Sequence, residues 1–200
     1  MHVKRLLFYL VGLTILSLGV SFTIKSDLGA GPWDALNVGL STTFGLTVGS
    51  WVIIVGLALI VINAILLKER PDIFAIFTIV IVGGYIDFWL IYVLAKWDPA
   101  SFVMKLVVLM VGLLFLSLGI AIYLQAKYPL IPIDRFMLAI QARIKVNLMV
   151  AKTIGEVTAL LLALLFKGPI GIGTIIIALS VGPFVQIFFP RMERLKEKWS

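Results

Sequence analysis

The chain has 200 residues, 62% of them hydrophobic and 14% charged, with a formal net charge of +7 and a mean hydropathy of +1.14. That balance lies far outside the range of a water-soluble domain, so the medium around most of the surface is lipid. The positive charge needs no nucleic-acid partner, because juxtamembrane Lys and Arg facing anionic lipid headgroups account for it. With no cysteine, disulfides, thiol catalysis and thiolate-held clusters are out. The lone His2 has no imidazole cluster around it, and neither a cofactor nor a metal site is expected.

Apolar runs cover residues 6–24, 50–67, 73–95, 102–124, 148–166 and 170–190, most of them close to the roughly 20 residues a helix needs to cross a bilayer. Backbone in hydrocarbon must satisfy its own hydrogen bonds, so these runs read as six helices despite their Val and Ile content. The first run follows Lys4-Arg5 like a secretory signal, but it is longer than a usual signal core and its features recur mid-chain. It therefore reads as a retained helix.

That recurrence organises the chain. Val11-Gly12-Leu13 and Leu16-Ser17-Leu18-Gly19 return as Val111-Gly112-Leu113 and Leu116-Ser117-Leu118-Gly119, and Pro32 with Asp34 returns as Pro132 with Asp134. A single membrane domain over 1–200 is expected, with repeat 1 over 5–97, repeat 2 over 103–190 and a basic tail over 191–200. Three spans per half is an odd number, so the second half enters with the opposite polarity and the repeats are inverted. Gly12 and Gly19, like Gly112 and Gly119, lie two turns apart on one helix face, which predicts close approach between spans one and four.

Between spans one and two lies the breaker-rich turn Lys25-Ser26-Asp27-Leu28-Gly29-Ala30-Gly31-Pro32-Trp33-Asp34. Gly29 and Gly31 can take dihedrals other residues avoid, and Pro32 suits the first turn of a new helix, which is expected over 33–44. Its counterpart begins at Pro132 and runs to about Ile144. Both stretches are too short for ordinary spans and too apolar for free loops. Two readings stay open: amphipathic helices lying along the interface, or re-entrant half-helices whose N-terminal amides point towards the bundle centre. Under inverted topology the Pro32 start faces the outer mouth and the Pro132 start the inner one.

Charge gives the orientation. Lys4, Arg5, Lys68, Arg70, Lys127, Arg135, Arg143, Lys145, Lys152, Arg191, Arg194, Lys196 and Lys198 fall on one side, against Lys25, Lys96, Lys105 and Lys167 on the other. The positive-inside rule then places both termini of a multi-pass membrane protein in the cytoplasm.

Ionisable groups at membrane depth are costly and are the first candidates for function. Asp87 in span three and Glu156 in span five are candidates for binding a proton or the cationic part of a substrate; Lys152, one turn before Glu156, can instead neutralise it. Asp34 and Asp134 each follow a proline by two positions, where a carboxylate satisfies helix N-terminal amides or serves a ligand. Arg135 is placed to neutralise Asp134. Asn63, Gln125 and Gln186 are weaker, supporting candidates, as is Trp33, although Trp33, Trp51, Tyr85, Trp89, Tyr92 and Trp97 otherwise read as interface anchors. No catalytic constellation of metalloprotease, hydrolase or phosphate-loop type is present, so an enzyme is not expected.

The run Gly29-Ala30-Gly31-Pro32-Trp33-Asp34-Ala35-Leu36, with Gly39-Leu40-Ser41, Thr47-Val48-Gly49, Gly83-Gly84 near Asp87 and Gly171 to Thr174, resembles bacterial integral membrane proteins of the YczE/YyaS/YitT type. The resemblance implies a small polytopic protein of the bacterial cytoplasmic membrane, proposed in some members to be a transporter or a regulatory membrane factor. The second copy departs from the motif, with Leu130-Ile131-Pro132-Ile133-Asp134 in place of the glycine-rich form.

The expectation is an all-α bundle of six spans in two inverted three-helix repeats, each with a short extra helix, acting as a secondary transporter. The partners expected are a small solute, protons or monovalent cations, and anionic lipids, with homodimerisation plausible for so small a chain. The alternative is a non-transporting scaffold or regulatory factor for a partner protein.

Overall fold

A computed structural model describes the backbone of residues 2–199 and the side chains of residues 4–196; the side chains of His2 and Lys198 lie outside the described residues. Among the described residues are eight α-helices: α1 (His2–Lys25), α2 (Pro32–Phe44), α3 (Val48–Leu67), α4 (Phe74–Asp87), α5 (Phe102–Gln125), α6 (Pro132–Ile144), α7 (Leu148–Leu165) and α8 (Ile172–Trp199). Six are long and apolar enough to cross a membrane, with α4 reaching that length only together with the π-helical turn Phe88–Val93 that continues it. The protein is an all-α, six-span polytopic membrane helical bundle.

The helix ends follow from short-range chemistry. Thr47, Ser101 and Asn147 cap α3, α5 and α7 by accepting the backbone N–H of Ser50, Met104 and Val150. Pro132 opens α6, where its missing N–H costs nothing. Lys68 and Lys145, both at φ 56°, end α3 and α6 in the left-handed conformation. The π-helical turn was not foreseen from sequence; it is marked by the Leu94 N–H bonding to the Trp89 carbonyl at 2.7 Å.

The chain divides into two compact units, and neither is a sequence half. One contains the chain up to Gly31, Tyr85–Tyr128 and the chain from Pro169; the other contains Pro32–Gly84 and Pro129–Gly168.

In the first unit α5 packs against both α1 and α8. A Cβ added at Gly12 would meet the backbone of Tyr123, and one at Gly19 the backbone of Leu116, in both cases under 3.0 Å. The mirror contacts are also present, Gly112 with Thr23 and Gly119 with Leu16. Each step up α1 is matched by a step down α5, so the two helices run antiparallel with a reciprocal register. The approach expected from the glycine spacing is therefore made, and it leaves Leu13, Leu109 and Leu113 with no exposed surface. The turn after α1 docks on the start of α8: Gly29, at φ 103°, abuts Gly171, and the Gly173 N–H bonds to the Leu28 carbonyl at 2.7 Å.

In the second unit α2 packs on α7 and α3, while α6 packs on α3 and α7. Each short helix thus lies against the long helix that follows the other one. Gly168 touches α2 at the Ala35 carbonyl, and Gly56 and Gly83 admit α4 against α3 at Ile79 and Gly49. Around that seam Ile60, Ala75 and Ile79 form a buried apolar cluster.

Candidate functional site

The two Pro-x-Asp helix starts meet. Pro32 begins α2 and Pro132 begins α6, and the Trp33 and Phe136 rings pack edge to face at 5.9 Å. Sequence symmetry assigned these starts to opposite mouths; symmetry relates their direction but does not fix their depth, and the ring contact brings them together. Trp33 is buried inside this unit rather than free to anchor at headgroups.

Helix α7 closes the arrangement. Gly155 sits beside Phe136 and Met137, 3.7 Å from each as measured from an added Cβ. That spacing is ordinary van der Waals contact, and the next residue on α7 is Glu156. One carboxylate oxygen of Glu156 is buried with no hydrogen-bond partner among the described residues. Glu156 lies within electrostatic reach of Asp34, Asp134 and Lys152. The pair expected between Lys152 and Glu156 is not a direct one, since no ion pair within 4 Å joins these described residues.

Asp34 lies in the first turn of α2, outside the six candidate spans. Burial, reinforced by the negative charge of Glu156, pushes its carboxyl up to about 7. Arg135 is directed to the end of α3 and the turn that follows, bonding Asp72 at 2.6 Å and Glu69 at 3.0 Å. Arg135→Ala is expected to cost about 1 kcal/mol, modest because Glu69 and part of the guanidinium face solvent; a chemical-denaturation midpoint in detergent checks it.

Two amides complete the group. Asn63 donates its Nδ2 to the Pro132 carbonyl at 2.9 Å, which fixes it at the α6 start and leaves its Oδ1 buried and unpartnered. Asn37, one turn after Asp34 on α2, is 2% exposed and its Oδ1 is also unpartnered. The sequence reading named Asn63 and missed Asn37. Its place three residues after Asp34, on one side of a short apolar helix, was the available signal.

The remaining candidates belong to the first unit. Asp87 is half-buried where α4 passes into its π-helical turn. Gln125 is structural in its contacts: its Nε2 donates to the Phe189 carbonyl at 3.3 Å, and its backbone carbonyl accepts Lys196 Nζ at 2.6 Å. Gln186 is exposed on α8.

Comparison with known proteins gives a family. A model described as "Family of unknown function (DUF6198)" matches residues 3–190. The chain is 42% identical over 190 residues to "Uncharacterized protein YyaS" of Bacillus subtilis, covering 95% of this chain and 94% of the relative. It is 33% identical over 194 residues to "Uncharacterized membrane protein YczE" of the same organism, covering 96% and 89%. To an uncharacterized protein of Haemophilus influenzae it is 26% identical over 192 residues, covering 96% and 86%. No solved structure matches the chain significantly. The chain is a multi-pass bacterial membrane protein and belongs to the DUF6198 family, with its YczE/YyaS/YitT-like members.

Proposed function

We propose that this protein is a secondary transporter of a small solute, coupled to an ion gradient and working by alternating access in the bacterial cytoplasmic membrane with both termini inside. The observation that carries the reading is the meeting of the α2 and α6 starts, through Trp33 and Phe136, beside the buried carboxylate of Glu156. Short interrupted helices whose N-termini converge on ionisable groups are the means by which transporters place a polar site inside a bilayer. Such groups are too costly at depth to be kept there for packing alone.

In this reading α2 and α6 are re-entrant half-helices of two inverted repeats. The antiparallel, reciprocal register of α1 and α5 supports inversion, because equivalent helices of inverted repeats cross in opposite directions. Burial of Trp33, Ala35, Leu36 and Asn37 on successive faces of α2 favours re-entry over lying flat, where one face would stay open. Asp34, Asp134 and Glu156 bind the solute or coupling ion, and Asp87, at the π-helical junction, is a second coupling candidate.

The test is flux. Full-length protein in vesicles enclosing a pH-sensitive dye should collapse an imposed pH gradient on addition of the right member of a solute panel, and Glu156→Gln should abolish that response while the protein stays folded. Silence of the folded wild-type protein across the panel would sink the transport reading and leave the scaffold role.

A further inference from the structure

Three side-chain acceptors of the second unit lack donors among the described residues. Asn37 Oδ1, Asn63 Oδ1 and Glu156 Oε2 are each buried without a partner, and a buried unmet acceptor costs about 1–3 kcal/mol. Asn63 is held at the first residue of α6, Asn37 lies one turn from Asp34, and Glu156 follows the glycine packed on Phe136. Asn63 and Glu156 therefore border the junction of the two helix starts, and Asn37 lies on α2 one turn beyond it.

Charge sets the sign of the missing ligand. The two starts offer positive dipole ends, but each already carries an aspartate in its first turn, Asp34 and Asp134. Helix α7 adds Glu156 against Lys152, α3 carries no titratable side chain between Val48 and Leu67, and Arg135 of α6 is engaged by Asp72 and Glu69. Once Asp34 and Glu156 are ionised, these two carboxylates outnumber Lys152, the cation facing Glu156. Among the described residues no three acidic or histidine side chains converge as a transition-metal ion needs. Separated acceptors match a polyatomic ion whose donors point in several directions.

We propose that this junction binds a small nitrogen cation bearing several N–H donors, of the guanidinium type, in competition with protons. The inference rests on the transport reading for its role in the membrane, while binding itself can be read without flux. A planar guanidinium offers N–H groups around its whole edge and can reach a carboxylate and two amide oxygens together. Proton competition follows because protonated Asp34 and an incoming cation offset the same excess negative charge.

The experiment is thermal unfolding of the full-length protein in detergent with millimolar guanidinium, tetramethylammonium, sodium or potassium chloride at matched ionic strength, at pH 6 and pH 8. Guanidinium alone should stabilise, with an apparent affinity about tenfold tighter at pH 8 than at pH 6, as expected when one acidic group must lose its proton first. Equal stabilisation by tetramethylammonium or sodium, or no response in folded protein, overturns the proposal. Asn37→Leu supplies the second arm: replacing an unmet acceptor by an apolar group of similar size should leave ligand-free stability equal or higher while removing the guanidinium response. A less stable Asn37→Leu protein that still responds to guanidinium would also overturn it. Binding without flux in dye-loaded vesicles would sink the transport reading and leave this site standing; flux of another solute without guanidinium binding would do the reverse.

Discussion

Gly19→Val is expected to leave almost no monodisperse protein after extraction. The added Cβ falls under 3.0 Å from the Leu116 backbone and the Gly112 carbonyl, neither of which can swing aside as a long side chain could. Relief requires α1 and α5 to separate, exposing Leu13, Leu109 and Leu113, which are now fully buried. The cost should exceed the roughly 1–3 kcal/mol typical of an overpacked core, because backbone rather than side chain must move. Gly119→Val meets the Leu16 backbone in the mirror contact and should fail alike. The double variant should lose less than the two losses added, since the first substitution has already opened the seam. Gly84 has nothing within 4 Å of an added Cβ, so Gly84→Ala should behave as wild type. Size-exclusion profiles and melting in detergent separate these outcomes.

Asp34→Asn should flatten the pH dependence of stability and uncouple any proton-linked activity. The folded Asp34 holds its proton up to about pH 7, against an ordinary value of 3.8. In that window the folded state binds more protons at Asp34 than the unfolded one, so the stability that Asp34 contributes is fully present below about pH 4 and is lost as pH rises through about 7. The loss is on the order of a few kcal/mol at most. Asparagine mimics the protonated acid, so the variant should match wild type at pH 4 and melt later at pH 8. Melting curves at half-unit pH steps check this, and a wild-type protein whose stability rises between pH 5 and pH 7 relative to Asp34→Asn would contradict the environment assigned to that carboxyl.

Much of the secondary structure was readable because membrane helices obey composition. Each apolar run became a helix, and Pro32 and Pro132 marked the starts of α2 and α6 within a residue. The glycine pairs at 12 and 19 and at 112 and 119 foretold the α1–α5 seam because helix-face spacing is local arithmetic. The site was less legible, for reasons that are not local. Nothing near Asp34 in sequence says that Glu156 will stand beside it; that depends on α2 packing on α7. Gln125 looked like a candidate by polarity alone, yet its amide serves the Phe189 carbonyl. The π-helical turn after Asp87 left no trace in an apolar run that suits an α-helix equally well.

The way the units share the chain bears on how the protein is made. The polypeptide passes from one unit to the other at Gly31–Pro32, Gly84–Tyr85, Tyr128–Pro129 and Gly168–Pro169. Membrane insertion proceeds from the N-terminus, so α1 enters the bilayer well before its partner α5 exists, and α2 waits for α7. Neither unit can close until most of the second half of the chain has left the ribosome. The newborn first half is thus a set of inserted helices with unfilled faces, open to quality-control proteases and chaperones during that wait. Cutting the gene in the connection at Asp98-Pro99-Ala100 should yield two fragments that are each degraded alone and rescue one another when made together.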